Sequence, residues 1–429
     1  MIAPARATGL QVRTRSVPGM PVVALRAWVP GGARAEGIPG QARVTGRLLA
    51  EGTQRRDFRS IADDAEGLGA NVHSSGGFEH HHVTLDVMAD DWERACNWLA
   101  ELVLEPVFPE DRTRWVTRQL KAELDSLGDR PEIRTAWGFL DQLYAPHPRC
   151  RPVQGTPEGL AALTPEDCAT FHLESLKRGL IVTAAGRLDE EAVERHLREL
   201  FRDLETGRGE TVEPPAPEDT AETHRRVILP DSDQAHLFAG HRTLPRAHDD
   251  YEALELAGIV LGAGAGLTGR IPDRIREKEG LAYTARGQTV AGCGLDPGRL
   301  VIYVGTSEAT LEQAERGCRE ELERLVTEGV EEDELESARS YLLGREPFQR
   351  ETARQWADLL AESAFYGLPL DRPGWREERL RAVTHEELEA AIRRHLHPDQ
   401  LRVTVGVTGE ETKRSASRPR LADLARFDG

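Results

Sequence analysis

Apolar positions along this chain follow two periods. Segments 92–128 (WERACNWLAELVLEPVFPEDRTRWVTRQLKAELDSLG) and 310–344 (TLEQAERGCREELERLVTEGVEEDELESARSYLLG) repeat apolar residues every three to four positions. Each is broken once by a short acidic stretch, so each predicts two consecutive helices. Shorter runs predict strands: PVVALRAWV from Pro21, LKRGLIVTAAG from Leu176 (entered from a helix), QAHLFAGHRT from Gln234 and DQLRVTVGVTG from Asp399. AEGLGANVHSS from Ala65 parallels EKEGLAYTARG from Glu277; each reads as a helix end, a glycine cap and entry into a strand. The order is the same twice over: strand, helix, helix, strand, strand, helix pair, helix, strand. Adjacent strands with helices between them predict an α+β fold, two tandem homologous domains each with a largely antiparallel or mixed sheet packed with helices. The period is far too long for a solenoid.

The break between the halves is 205–226 (ETGRGETVEPPAPEDTAETHRR), which has three prolines, many acids and almost no large apolar residue. It reads as a linker, leaving domains at 1–204 and 227–429. Composition excludes several function classes. Lys and Arg number 55 against 73 Asp and Glu, a net charge of −18, which disfavours nucleic acid as a partner. No apolar run approaches the ~20 residues that span a bilayer, and 1–18 lacks the apolar core of a secretory signal. Five scattered cysteines without a CxxC argue against a disulfide framework and fit a reducing compartment, so a cytoplasmic location is expected.

The chemistry-bearing stretch is 40–53, GQARVTGRLLAEGT. It resembles the metal-binding segment of the insulinase/pitrilysin family of zinc peptidases, which includes the mitochondrial processing peptidase subunits. There the pattern is Gly, two residues, HxxEH, then a few residues ending in Gly-Thr. Two histidines on one helical face bind zinc, and the glutamate between them activates the metal-bound water. Here Arg43 and Arg47 stand at the histidine positions and Gly46 at the glutamate position. Glu123 matches the third-ligand position, and Val116 replaces a supporting glutamate. Catalytic zinc needs about three protein donors, and guanidinium has no lone pair to give, so the resemblance implies no metal and no cofactor in this chain. Arg43 and Arg47 lie at i, i+4, which predicts an ion pair with Glu123. Restoring Arg43→His, Gly46→Glu and Arg47→His together is expected to rebuild zinc affinity if Glu123 faces the site.

The second half carries REKEGLAY at 276–283, preceded by the glycine-rich LGAGAGLTGR at 261–270. By resemblance, Arg276 and Tyr283 reach across to a zinc site and hydrogen-bond the substrate carbonyl, a catalytic role suited to a fixed cation and a phenol. The resemblance also places FEHHH (78–82) beside the cleft, making Phe78, Glu79 and His80 candidate substrate contacts. A replacement metal site built from His73, His80 and His82 with Glu79 or Glu123 is the less favoured alternative. Destroyed zinc ligands with a retained Arg/Tyr pair imply the non-catalytic subunit of a heterodimeric zinc metallopeptidase. Its partner would be a homologous chain bearing HxxEH and holding the zinc, two half-shells closing around a peptide or unfolded polypeptide. The alternative is a homodimeric peptide-binding or scaffold protein without peptidase activity.

Overall fold

The computed structural model describes residues 9–207, 209, 212–229, 232–264 and 268–409. Part of the segment read for a leader (1–8), residues 208, 210 and 211 of the linker and 265–267 of the glycine-rich run lie outside the described residues.

The first unit runs β1 (Gly9–Ser16), β2 (Val22–Pro30), α1 (Gln41–Leu48), α2 (Phe58–Leu68), β3 (Asn71–Gly76), β4 (His80–Met88), α3 (Trp92–Leu104), α4 (Glu110–Gly128), α5 (Pro131–Tyr144), α6 (Pro157–Ala162), α7 (Pro165–Arg178), β5 (Gly179–Gly186) and α8 (Glu190–Leu200). The second runs β6 (His224–Leu229), β7 (Ala235–Arg242), α9 (Tyr251–Gly258), α10 (Arg270–Pro272) continuing into a π-helical turn at Asp273–Lys278, β8 (Ala282–Ala291), β9 (Arg299–Thr306), α11 (Leu311–Thr327), α12 (Glu332–Arg345), α13 (Ala353–Tyr366), α14 (Trp375–Ala382), α15 (His385–His395) and β10 (Arg402–Thr408).

Among the described residues the strands form two five-stranded mixed sheets, ordered β1-β5-β2-β4-β3 and β6-β10-β7-β9-β8. The two orders are the same once the strands are counted within each unit. In both, the first strand pairs parallel with the last and the other pairs are antiparallel. β5 is buried along its whole length, which explains its unbroken apolar run. β1 and β6 were not among the predicted strands. β6 begins at His224, inside the range assigned to the linker.

Local signals set the element ends. Asp57 accepts from the Ser60 N–H to start α2, and Gly69 at φ 58° ends it. Gly280 at φ +60° makes the equivalent turn into β8.

The two units exchange helices. α3 and α8 cover one face of the first sheet, with Trp98, Leu99, Val193 and Leu197 in that core. The opposite face is covered by α13 from the second unit, through Trp356, Leu360 and Phe365 against Ala24, Ala185, Ile181 and Trp28. Reciprocally, α5 from the first unit lays Phe139, Leu143 and Tyr144 on Phe238 and Tyr303 of the second sheet. The linker is pinned between them: Arg34 donates to the Val212 carbonyl, Glu218 N–H to Ala145, and Gln142 to the Glu222 carbonyl. Among the described residues no helix is long and apolar enough to cross a membrane.

Candidate functional site

Helix α1 carries Arg43, Gly46 and Arg47 and packs on the end of β3. Arg47 Nη2 donates to Glu123 Oε2 at 2.8 Å, across from α4. Gln154, not singled out from sequence, donates to the other carboxylate oxygen at 3.0 Å. Arg43 is more loosely engaged. Its Nη1 donates to the Gly76 carbonyl at 3.0 Å and its Nη2 lies 3.8 Å from Glu123 Oε1. Val116 is fully buried beside Val44 and Leu48. It fills the core behind α1 rather than facing the site.

Gly46 is fixed by sterics as well as chemistry. A Cβ there would meet the Ser75 carbonyl carbon at 2.2 Å and Gly76 N at 2.3 Å. Helix and strand backbones therefore touch where a catalytic glutamate would stand. The site fails the test for zinc on every count. Both histidine positions hold cations without lone pairs, the third-ligand carboxylate of Glu123 is already paired with Arg47, and the water-activating position, Gly46, has no room for a side chain. Glu123 does face the site, as the triple change requires, but a glutamate at position 46 would have to displace the Ser75 and Gly76 backbone.

The FEHHH segment is likewise reassigned. His80 stacks on Trp28 with ring centroids 3.8 Å apart, and burial pushes its imidazole down to about 3. Glu79 is buried and bridges the two units. Tyr366 Oη donates to it at 2.7 Å, the Leu295 N–H at 2.7 Å, and Arg149 lies 3.7 Å away. Phe78 is half-buried under the Arg149 guanidinium at 4.3 Å. Glu79 is buried in the contact between units, and His80, half-buried, has its ring against Trp28 and Phe365. Nothing local in the sequence announces Tyr366 or Leu295, nearly 300 and just over 200 residues away.

His82 is held at about 4, by burial first and then by His73, Arg43 and Arg26. His73 is lowered by burial and by Arg43 and Arg47. His81 turns to the other face, 2.9 Å from His172, which in turn donates to the Val103 carbonyl at 2.7 Å; burial lowers the pKa of both rings. Among the described residues the one trio with metal-donor geometry is His248, Asp250 and His395, remote from these histidines in sequence. Arg394 already occupies its carboxylate.

Arg276 and Tyr283 come together at the start of β8, the edge strand of the second sheet. The guanidinium sits 5.4 Å from the phenol ring centre. Tyr283 is 81% exposed, the most exposed large apolar side chain among the described residues. Arg276 is engaged at 3.3 Å by its neighbour Glu277. Tyr283 thus projects outward, with the half-buried Arg276 guanidinium beside it.

Residues 11–147 match the family described as Insulinase (Peptidase family M16), and residues 162–342 match the Peptidase M16 inactive domain. The chain belongs to the insulinase family. An uncharacterized zinc protease of Mycobacterium leprae is 27% identical over 83% of this chain and 80% of its own length. A Helicobacter pylori relative named a non-peptidase homolog is 23% identical over 84% of this chain and 83% of its own. The fold matches the crystal structure of a peptidase M16 inactive domain from Pseudomonas fluorescens at TM-score 0.85 and 23% identity, covering 94% of this chain and 97% of that one. Within the insulinase family this chain is a member with Arg43 and Arg47 on α1 paired toward Glu123 and with Tyr283 exposed beside Arg276.

Proposed function

We propose that this chain is the non-catalytic subunit of a heterodimeric zinc metallopeptidase. It supplies Arg276 and Tyr283 to a partner's zinc site and closes one side of a peptide chamber. The observation that carries this reading is Tyr283, exposed beside Arg276, in a chain whose own ligand positions hold Arg43 and Arg47. A guanidinium and a phenol at the reacting peptide bond donate to the carbonyl oxygen as negative charge develops there. In this chain they have no such bond to act on unless a second chain presents one. The helix exchange and the bridges through Glu79 and Arg34 support the same reading, because they fix the two units against each other. The chamber is then closed by another subunit rather than by folding this one over. The Helicobacter pylori relative's name accords with a loss of peptidase activity.

The test is capture of the tagged chain from its native cells, then kinetics of the complex. A stoichiometric homologue bearing HxxEH is the expected companion. Arg276→Ala and Tyr283→Phe are each expected to lower its kcat by about 10²-fold, the scale for losing one donor to developing charge. Wild-type rates in both variants remove the assigned role. Recovery of the chain only with itself moves the reading to a homodimeric peptide-binding shell.

A further inference from the structure

The closed metal position leaves a charge imbalance that the proposed subunit role does not use. Arg43 and Arg47 share one face of α1, and Glu123 is the carboxylate that answers them. That carboxylate is largely satisfied elsewhere, by Arg47 at 2.8 Å and Gln154 at 3.0 Å. Arg43 is left with one backbone carbonyl and a 3.8 Å approach, and its buried Nε has no hydrogen-bond partner. Glu36 does not compensate it. Its two oxygens accept the Gly40 and Ala42 N–H groups at the start of α1, and Arg151 approaches it at 3.6 Å. On the strand side the neighbours are His73 and His82, imidazoles whose protonation is opposed by burial and by Arg43, together with Arg47 at His73 and with His73 and Arg26 at His82. The face is open to solvent as well as cationic: the Arg43 and Arg47 side chains are 21% and 30% exposed, and His73 is exposed.

We propose that Arg43, backed by Arg47, is a carboxylate-binding exosite that holds an acidic group of the bound peptide, either an Asp or Glu side chain or the C-terminal carboxylate. The substitutions that removed zinc thereby convert a cation site into an anion site at the same place in the fold. A half-exposed guanidinium with unused N–H groups is suited to a carboxylate, since charge-assisted pairs of this kind are stronger than neutral ones. This exosite rests on the peptide-chamber reading, but it acts through binding and involves no catalytic step.

The experiment uses the isolated full chain and fluorescence anisotropy of a dye-labelled, unstructured peptide. The peptide has one internal Asp and a free C-terminus, and is compared with its Asp→Asn and C-terminally amidated forms. Removing the carboxylate that the site reads is expected to weaken binding about tenfold, and the form that matters identifies which source is used. Arg43→Gln is expected to weaken the acidic peptide to the same level and leave the neutral forms unchanged. Arg43→Lys keeps the charge and is expected to recover part of the loss. Equal affinity for all three peptides, wild-type binding by Arg43→Gln, or no peptide binding at all overturns the exosite. None of these outcomes bears on capture of a zinc-bearing partner, so the subunit assignment stands or falls separately.

Discussion

The contact at Gly46 makes a sharp prediction, because one substitution has opposite effects at different helical glycines. In Gly46→Ala the new methyl lands 2.2 Å from the Ser75 carbonyl carbon. Carbon atoms in ordinary contact sit at about 3.5 Å, so α1 and β3 must part by roughly 1.3 Å. The obstacle is backbone on both sides and cannot rotate away, which puts the cost at the upper end of the ~1–3 kcal/mol found for overpacking. Replacing glycine inside a helix returns about 1 kcal/mol. The net expectation is a loss of about 2 kcal/mol. Gly67 in α2 and Gly344 in α12 are the controls, since a Cβ at either meets nothing within 4 Å. Their alanine variants are expected to be neutral or stabilised by up to ~1 kcal/mol. Urea unfolding followed by circular dichroism reads the order directly: Gly46→Ala below wild type, the two controls at or above it. A Gly46→Ala midpoint level with the controls refutes the steric closure of the metal position.

Two further outcomes are expected, one at the same helix and one at the contact between units. The triple variant Arg43→His, Gly46→Glu, Arg47→His is expected to retain no stoichiometric zinc after dialysis, read by elemental analysis; one bound zinc per chain would show that α1 and β3 can separate. Burial pushes the Asp296 carboxyl up, but bidentate Arg34 and the His147 ring 3.3 Å away outweigh it and hold it at about 2. A carboxylate depressed in the folded state stabilises fully above its unfolded value near 4 and loses that contribution as pH falls toward 2. The urea midpoint of wild type is therefore expected to drop over that window, and Asp296→Asn to flatten the drop; identical profiles would remove Asp296 from the interface's energetics.

Much of the metal position was legible in the chain because its signal is local. The resemblance of 40–53 to the family's metal-binding segment pointed to Arg43, Gly46 and Arg47, which the structure places on one short helix, and to Glu123, which it pairs with Arg47. Gly46 was legible as a lost glutamate but not as a packing requirement, since the strand it touches is set by tertiary contact. The same limit explains β1 and β6. Each completes its sheet by pairing in parallel with a strand about 170 to 180 residues away, and neither carries a long apolar run. The partners of Glu79 and His80 were not legible for the same reason: Tyr366 lies 287 residues from Glu79 in the chain, and Trp28 meets His80 only through the pairing of β2 with β4.

The helix exchange also imposes a timetable on synthesis. The first sheet is complete in sequence once β5 has been made, yet the helix that covers its second face, α13, begins about 170 residues later. At the usual pace of translation that interval is roughly ten to thirty seconds. For that time Trp28, Ile181 and Ala185 face water or a chaperone, and the nascent chain is committed to waiting for its own far end.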